Sequence, residues 1–92
     1  MKYFEWDENK RKFNLEKHEI DFVDIIEIFD DPDRIEFEST RAGEKRFQTI
    51  GTVHGVVLFL VYTLRGRTIR IISARRASKN EREAYDEEKN PG

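Results

Sequence analysis

Ninety-two residues, 39% of them Asp, Glu, Lys or Arg with a net charge of −2, fit one small domain spanning 1–92, whose core at this size buries about 60–65% of the unfolded surface. No run of 18 apolar residues and no charged-then-apolar amino terminus occurs, so neither a membrane span nor a secretion signal is expected. With no cysteine there is no disulfide or thiolate site, which fits the cytoplasm, and His18 and His54 lack ligand spacing, so no metal or other cofactor is expected.

In chain order, Tyr3-Phe4-Glu5-Trp6 suits a short strand with Phe4 and Trp6 on one face, Trp6 going to the core. Asp7 reads as the N-cap of a charged surface helix to about Lys17, in which only Phe13 and Leu15 are large and apolar. Asp21 caps a second helix, with Ile20 and Ile25 as a hydrophobic staple. Phe22, Ile25, Ile26 and Phe29 recur at helical spacing, and Asp31-Pro32 ends the segment because the residue before proline is pushed out of helical geometry.

From Ile35 the period becomes two. Ile35 and Phe37 alternate with charges, a Gly43 loop follows, and Lys45–Val53 places Phe47 and Thr49 on one face and Arg46, Gln48 and Ile50 on the other. His54-Gly55 makes a tight turn, the glycine supplying positive φ, with His54 a turn residue. Val56–Thr63 is apolar on both faces, as a central strand would be. Arg65-Gly66 turns into a strand at Thr68–Ser73, Ser78 and Glu81 form a capping box for a helix to about Glu88, and residues 89–92 should fray. The expected fold is α+β: two N-terminal helices packed on one face of an antiparallel meander, with a short C-terminal helix.

The charges segregate. Residues 19–38 carry nine acids against Arg34, and residues 41–79 carry nine bases against Glu44. Between Arg65 and Asn80 there is no acid at all, and Thr68–Ser78 closes on the paired Arg75 and Arg76. Guanidinium groups at a strand end offer a fixed fork of donors to anionic oxygens, and RNA is the first ligand to consider.

The succession F-E-W-D at 4–7, Lys10, Asn14, K-H at 17–18, Phe22, F-D-D-P at 29–32, Arg46, Gly51, I-R-I-I-S-A-R-R-A-S at 69–78 and E-R-E-A-Y at 81–85 resembles the BrnT family, toxins of type II toxin–antitoxin pairs. The resemblance spans residues 4–85. It implies a fold similar to the RelE ribonuclease toxins, mRNA cleavage that halts translation, neutralisation by a BrnA-like ribbon-helix-helix antitoxin, and operator DNA binding only through the joint complex. One position departs: where the family usually has glycine after K-H, this chain has Glu19, and left-handed geometry there would cost a non-glycine residue about 1–2 kcal/mol.

Metal-free RNA cleavage needs a proton removed from the 2′-hydroxyl, charge on the phosphate stabilised, and a proton given to the leaving oxygen. Histidine suits the proton transfers and arginine the charge. Arg75 and Arg76 are the first candidates for the scissile phosphate, although either could instead pair with Glu81 or Glu83. Arg46, beside Gln48, could join them, and Arg70, facing away from Ile69 and Ile71, could contact RNA. Lys17 and His18 close the first helix, where its dipole favours cations; Lys17 would bind RNA and His18 move protons. Tyr85 could stack on a base or donate its hydroxyl, or equally pack the last helix. Asp30-Asp31 read as solvated acids at a helix end. The alternative to a nuclease is a non-catalytic module that binds an antitoxin-like partner. Direct duplex-DNA binding is weaker, because no helix is basic enough to read a groove.

Overall fold

The computed structural model describes residues 3–91; Gly92 of the expected frayed tail lies outside them. Five strands form one sheet: β1 (Tyr3–Glu5), β2 (Ile35–Arg41), β3 (Glu44–Val53), β4 (Val56–Arg65) and β5 (Thr68–Arg76), in the order β1-β5-β4-β3-β2. The meander from β2 to β5 is antiparallel throughout, as expected, and β1 adds to β5 in parallel, so the sheet as a whole is mixed. Helices α1 (Glu8–His18) and α2 (Phe22–Ile25) pack on one face, and α3 (Lys79–Lys89) crosses part of the other. The α+β architecture is as the sequence predicts, and α3 is still helical at Lys89, where fraying was expected to begin.

Asp7 caps α1 by accepting from the Asn9 and Lys10 N–H groups at 2.8 and 3.3 Å. Phe13 and Leu15 are exposed, as a surface helix requires, and the buried residue of α1 is polar: Asn14. Its amide donates to the Ile20 carbonyl at 2.9 Å and accepts from the Ala74 N–H at 3.1 Å, tying α1 to the following turn and to β5. A second tie is ionic, the Arg11 guanidinium donating twice to Asp21 (2.8 and 3.1 Å), the N-cap of α2.

The second helix departs from expectation. It is α-helical only over Phe22–Ile25 and continues as a 3₁₀ helix over Ile26–Asp30. Tightening to three residues per turn places Phe22, Ile25 and Ile28 in register, and all three are fully buried while Ile26 is half-buried. Ile28 therefore takes the core position that a pure α-helix would give to Ile26. It lies against Gly51 of β3, where a Cβ would meet Ile28 Cγ1 at 2.7 Å and Arg34 Cβ at 3.1 Å. The absence of a side chain at Gly51 is what lets this segment approach the sheet.

Phe22, Ile25, Ile28, Phe29, Leu58, Leu60, Tyr62, Ile69, Ile71 and Ala74 make the main core. Trp6 packs edge-on to Phe22, and Tyr62 stacks on Phe47. A smaller core on the other face, Ile50, Ala77 and Tyr85 with Ile35, Val57 and Phe59 against them, seats α3. Phe47 and Thr49 face the helices while Arg46, Gln48 and Ile50 face away, as the alternation predicts.

The register of β5 contains one irregularity. Val61 pairs with Ser73 and Tyr62 with Ile71, leaving Ile72 as an extra residue. A bulge of this kind reverses the facing of every later side chain. Ile69, Ile71, Ala74 and Arg76 consequently lie toward the helices, and Arg70, Ser73 and Arg75 lie on the opposite face.

Candidate functional site

The two arginines that close β5 go to different faces. Arg76 pairs across from the core residue Leu58 and emerges beside the carboxyl end of α1. There, Lys17, His18 and Arg76 line an open cleft of about 420 Å3 together with Arg75, Glu16 and Glu19. Arg76 is exposed and, among the described residues, lies within ion-pair distance of no carboxylate. Lys17 is likewise free of a carboxylate and has its ammonium 5.6 Å from the centre of the Phe13 ring. The local fold delivers these groups. Glu19 ends α1 at φ 59°, ψ 30°, its N–H donating to the Leu15 carbonyl, so the left-handed geometry anticipated for this position is present without glycine. Lys17 and His18 stand in the last turn, where unpaired carbonyls favour positive charge.

Arg75 takes the other face and is held from two sides. Its terminal nitrogens donate to Glu81 at 2.8 and 2.9 Å, and its guanidinium lies 4.2 Å from the centre of the Phe59 ring. Glu81 is itself fixed, since it also accepts from the Ser78 N–H at 2.8 Å in the capping box that opens α3. Through hydrogen bonding to Arg75, and against the effect of burial, the Glu81 carboxyl is held below its ordinary range; the Arg75 guanidinium is raised by the same contact. The fork expected to grip a phosphate is thus engaged within the chain. What Arg75 does geometrically is join the cleft at the end of α1 to the sheet face beyond.

On that face α3 covers the rows containing Ile50, Phe59 and Val57 and leaves the rest open. A shallow groove of about 480 Å3 runs there, floored by Phe59, Val61 and Ile72 and rimmed by Arg41, Arg46, Gln48 and Ser73. Arg46 and Arg70 flank Thr63 of β4 on this same face, one strand to either side, roughly 10 Å apart at the ordinary strand spacing. The Nε of Arg46 is buried with no acceptor among the described residues. Gln48 donates to the Ser39 hydroxyl at 2.7 Å, and Arg70 pairs with Glu5 of β1 at 3.2 Å. Cationic forks, hydroxyls and an amide around an apolar floor are suited to a phosphodiester chain whose bases lie flat.

Of the seven residues singled out from sequence, the fold therefore gathers Lys17, His18, Arg75 and Arg76 in one cleft. It places Arg46 and Arg70 on the adjoining sheet face and sends Tyr85 elsewhere. Tyr85 is 3% exposed, and its hydroxyl donates to Asp31 at 2.6 Å while accepting from the Thr52 hydroxyl at 2.7 Å. That burial favours the packing role over stacking on a base, and the hydroxyl is engaged within the chain. Asp31, read as a solvated acid, is the hub of this second network. It also accepts from the Thr52 N–H at 2.8 Å and the Asp33 N–H at 2.9 Å. Burial pushes its carboxyl up, but the Tyr85 hydroxyl and these N–H groups outweigh that and leave it below the ordinary carboxylate range. His54 sits in its turn at φ 49° with Nε2 2.8 Å from Glu27. Arg41 was missed from sequence; its strand alternates with Ser39, so a two-residue period could have found it.

Among the described residues no three His, Cys, Asp or Glu side chains are grouped to hold a metal ion, and no helix is long and apolar enough to cross a membrane. A family model described as "Ribonuclease toxin, BrnT, of type II toxin-antitoxin system" matches residues 6–81, a span that includes α1, the meander and Glu81. No curated protein matches the chain.

Proposed function

The chain belongs to the BrnT family of type II toxin–antitoxin systems, and on that premise we propose that it is a metal-independent endoribonuclease that cuts mRNA and arrests translation. The observation that carries this reading is the cleft in which Arg76, Lys17 and His18 converge, with no carboxylate among the described residues paired to Arg76. RNA enters along the open sheet face, its phosphates against Arg41, Arg46 and Arg70 and a base against the floor of Val61 and Ile72. The scissile phosphate lies against Arg76 and Lys17. His18 takes the proton from the 2′-hydroxyl, and the 2′-oxygen attacks phosphorus. The bond to the 5′-oxygen breaks, leaving a 2′,3′-cyclic phosphate, and the departing oxygen takes its proton from the Lys17 ammonium, which solvent then reprotonates. Arg76 stabilises the charge on the phosphoryl oxygens, a role that a group always protonated can perform without exchanging protons. Arg75, held by Glu81, positions the rim between cleft and groove.

A BrnA-like ribbon-helix-helix antitoxin neutralises the enzyme by covering this cationic surface, and operator DNA is bound through that complex. Decay of a labelled transcript in EDTA tests the enzymatic reading. Arg76→Ala should slow it by at least tenfold, and binding of uncleaved single strands should weaken with a salt slope of about −0.7 per phosphate neutralised. Undiminished cleavage by Arg76→Ala would remove the cleft from the mechanism. A second reading, a non-catalytic partner-binding module, draws on the bidentate Arg75–Glu81 pair. Growth arrest on expression without antitoxin separates the two, since only a nuclease should cause it.

A further inference from the structure

The sheet has two edges, and they are not alike. β1 is three residues long, whereas β2 runs for seven, paired to β3 without a break in register. An unpaired edge presents a row of free backbone N–H and C=O groups, and proteins that must not pair there defend it with proline, a bulge, charged side chains or a covering element. From Ile35 to Arg41 there is no proline, glycine or bulge, and the charges on the edge are Glu36, which accepts from neighbouring hydroxyls, Glu38, paired with Lys45 at 3.2 Å, and Arg41 at the far end, so a strand that adds here must tolerate acid and not base. Every residue after Ile35 is exposed, including Phe37 at 54%.

Beside this edge lies an open groove of about 730 Å3, between β2 and the outer side of α3, lined by Arg34, Ile35, Glu36, Phe37, Ala84, Glu87 and Glu88. Its charges are unequally engaged. Arg34 donates to the Phe29 and Asp31 carbonyls, and Glu36 accepts from the Tyr62 and Thr49 hydroxyls. Glu87 and Glu88 have no ion-pair partner among the described residues. The groove thus combines an apolar strip (Ile35, Phe37, Ala84), an unfilled hydrogen-bonding edge and two free carboxylates.

We propose that β2 and this groove form a docking site for an extended, cationic segment of a partner protein, which adds to the sheet as a sixth strand. Backbone hydrogen bonds to β2 would supply affinity, and side chains at alternate positions would supply specificity. Those on the α3 side would be Lys or Arg, near enough to pair with Glu87 and Glu88, with apolar residues against Phe37. The groove lies on the acidic part of the surface, away from Arg76 and Lys17, and only the far end of β2, at Ser39–Arg41, reaches the cationic sheet face; the site holds whether or not the chain cleaves RNA.

The test is selection of random twelve-residue peptides displayed on phage against the intact chain, followed by amide hydrogen exchange with a synthetic copy of the selected peptide. The expected result is sequences carrying both apolar and Lys/Arg residues at every second position, on the one face that meets Phe37, Glu87 and Glu88, that protect amides in 35–41 and bind at least tenfold more weakly to Phe37→Lys. Charge reversal by Glu87→Lys/Glu88→Lys, two exposed positions whose replacement should leave folding intact, should turn the selected preference from cationic to acidic. Acidic or helical peptides, protection elsewhere, or indifference to both variants would overturn the proposal. So would a concentration-dependent dimer abolished by Phe37→Lys, which would give the edge to a second copy of the chain, or protection of 35–38 by RNA.

Discussion

Removing one oxygen atom, in Tyr85→Phe, separates the two roles that the sequence leaves open for this residue. The hydroxyl donates to Asp31 at 2.6 Å and accepts from Thr52 at 2.7 Å, inside a side chain 3% exposed. A hydrogen bond to a charged group contributes about 1.5–3 kcal/mol, and the ring itself stays packed in the variant. Asp31 keeps the Thr52 and Asp33 N–H groups, so the expected cost is about 2 kcal/mol, or roughly a 10 °C fall in Tm for a chain of this length. The pH dependence has a definite sign. The Asp31 carboxyl is held below its ordinary range when folded, burial opposing and the Tyr85 hydroxyl first among the favourable contacts. A group with a depressed folded value contributes fully above its unfolded value of about 3.9 and loses that contribution as pH falls through the folded one. The stability gap between wild type and Tyr85→Phe should therefore be full at pH 7 and narrow below about pH 4. Urea melts at both pH values, alongside binding of a labelled single-stranded RNA, measure this. An unchanged urea midpoint with weakened RNA binding would refute the structural assignment and return Tyr85 to the nucleic-acid surface.

Three further perturbations probe the scaffold. Asn14→Leu strips partners from the buried Ile20 carbonyl and Ala74 N–H and should cost about 2–4 kcal/mol in a denaturant melt, whereas a purely surface role for α1 would make it neutral. Gly51→Ala sets a methyl 2.7 Å from Ile28 Cγ1; a loss of about 1–3 kcal/mol is expected, and a stabilised variant would mean that the 3₁₀ segment moves away freely. Glu19→Gly relieves left-handed backbone at φ 59° worth about 1–2 kcal/mol, less about 0.5–1 for glycine's extra freedom when unfolded. Calorimetry should show a Tm equal to or slightly above wild type, and because a carboxylate leaves the cleft, RNA affinity should rise.

Much of the architecture follows from local chemistry that a linear reading can use. Asp7, Asp21 and the Ser78–Glu81 box cap helices by short-range hydrogen bonds, His54-Gly55 turns where positive φ is demanded, and strict alternation on β3 sorts Arg46 from Phe47. Each of these depends on a few neighbouring residues and little else. The Arg75–Glu81 pair was one of two outcomes that spacing allowed, and packing on Phe59 favoured it.

What no local rule supplied was decided by contacts between distant segments. Ile28 displaces Ile26 from the core because Gly51, more than twenty residues on, leaves room for a tighter helix. Asn14 looks like an ordinary surface amide until the turn at Ile20 and β5 close around it. The facing of the two arginines rests on the extra residue Ile72 in β5. Without it, alternation would put Arg75 under the helices and Arg76 on the open sheet. With it, Arg76 reaches the end of α1 while Arg75 meets Phe59 and Glu81. Composition and periodicity determine that a basic strand end exists; only pairing with β4 determines which guanidinium is left free.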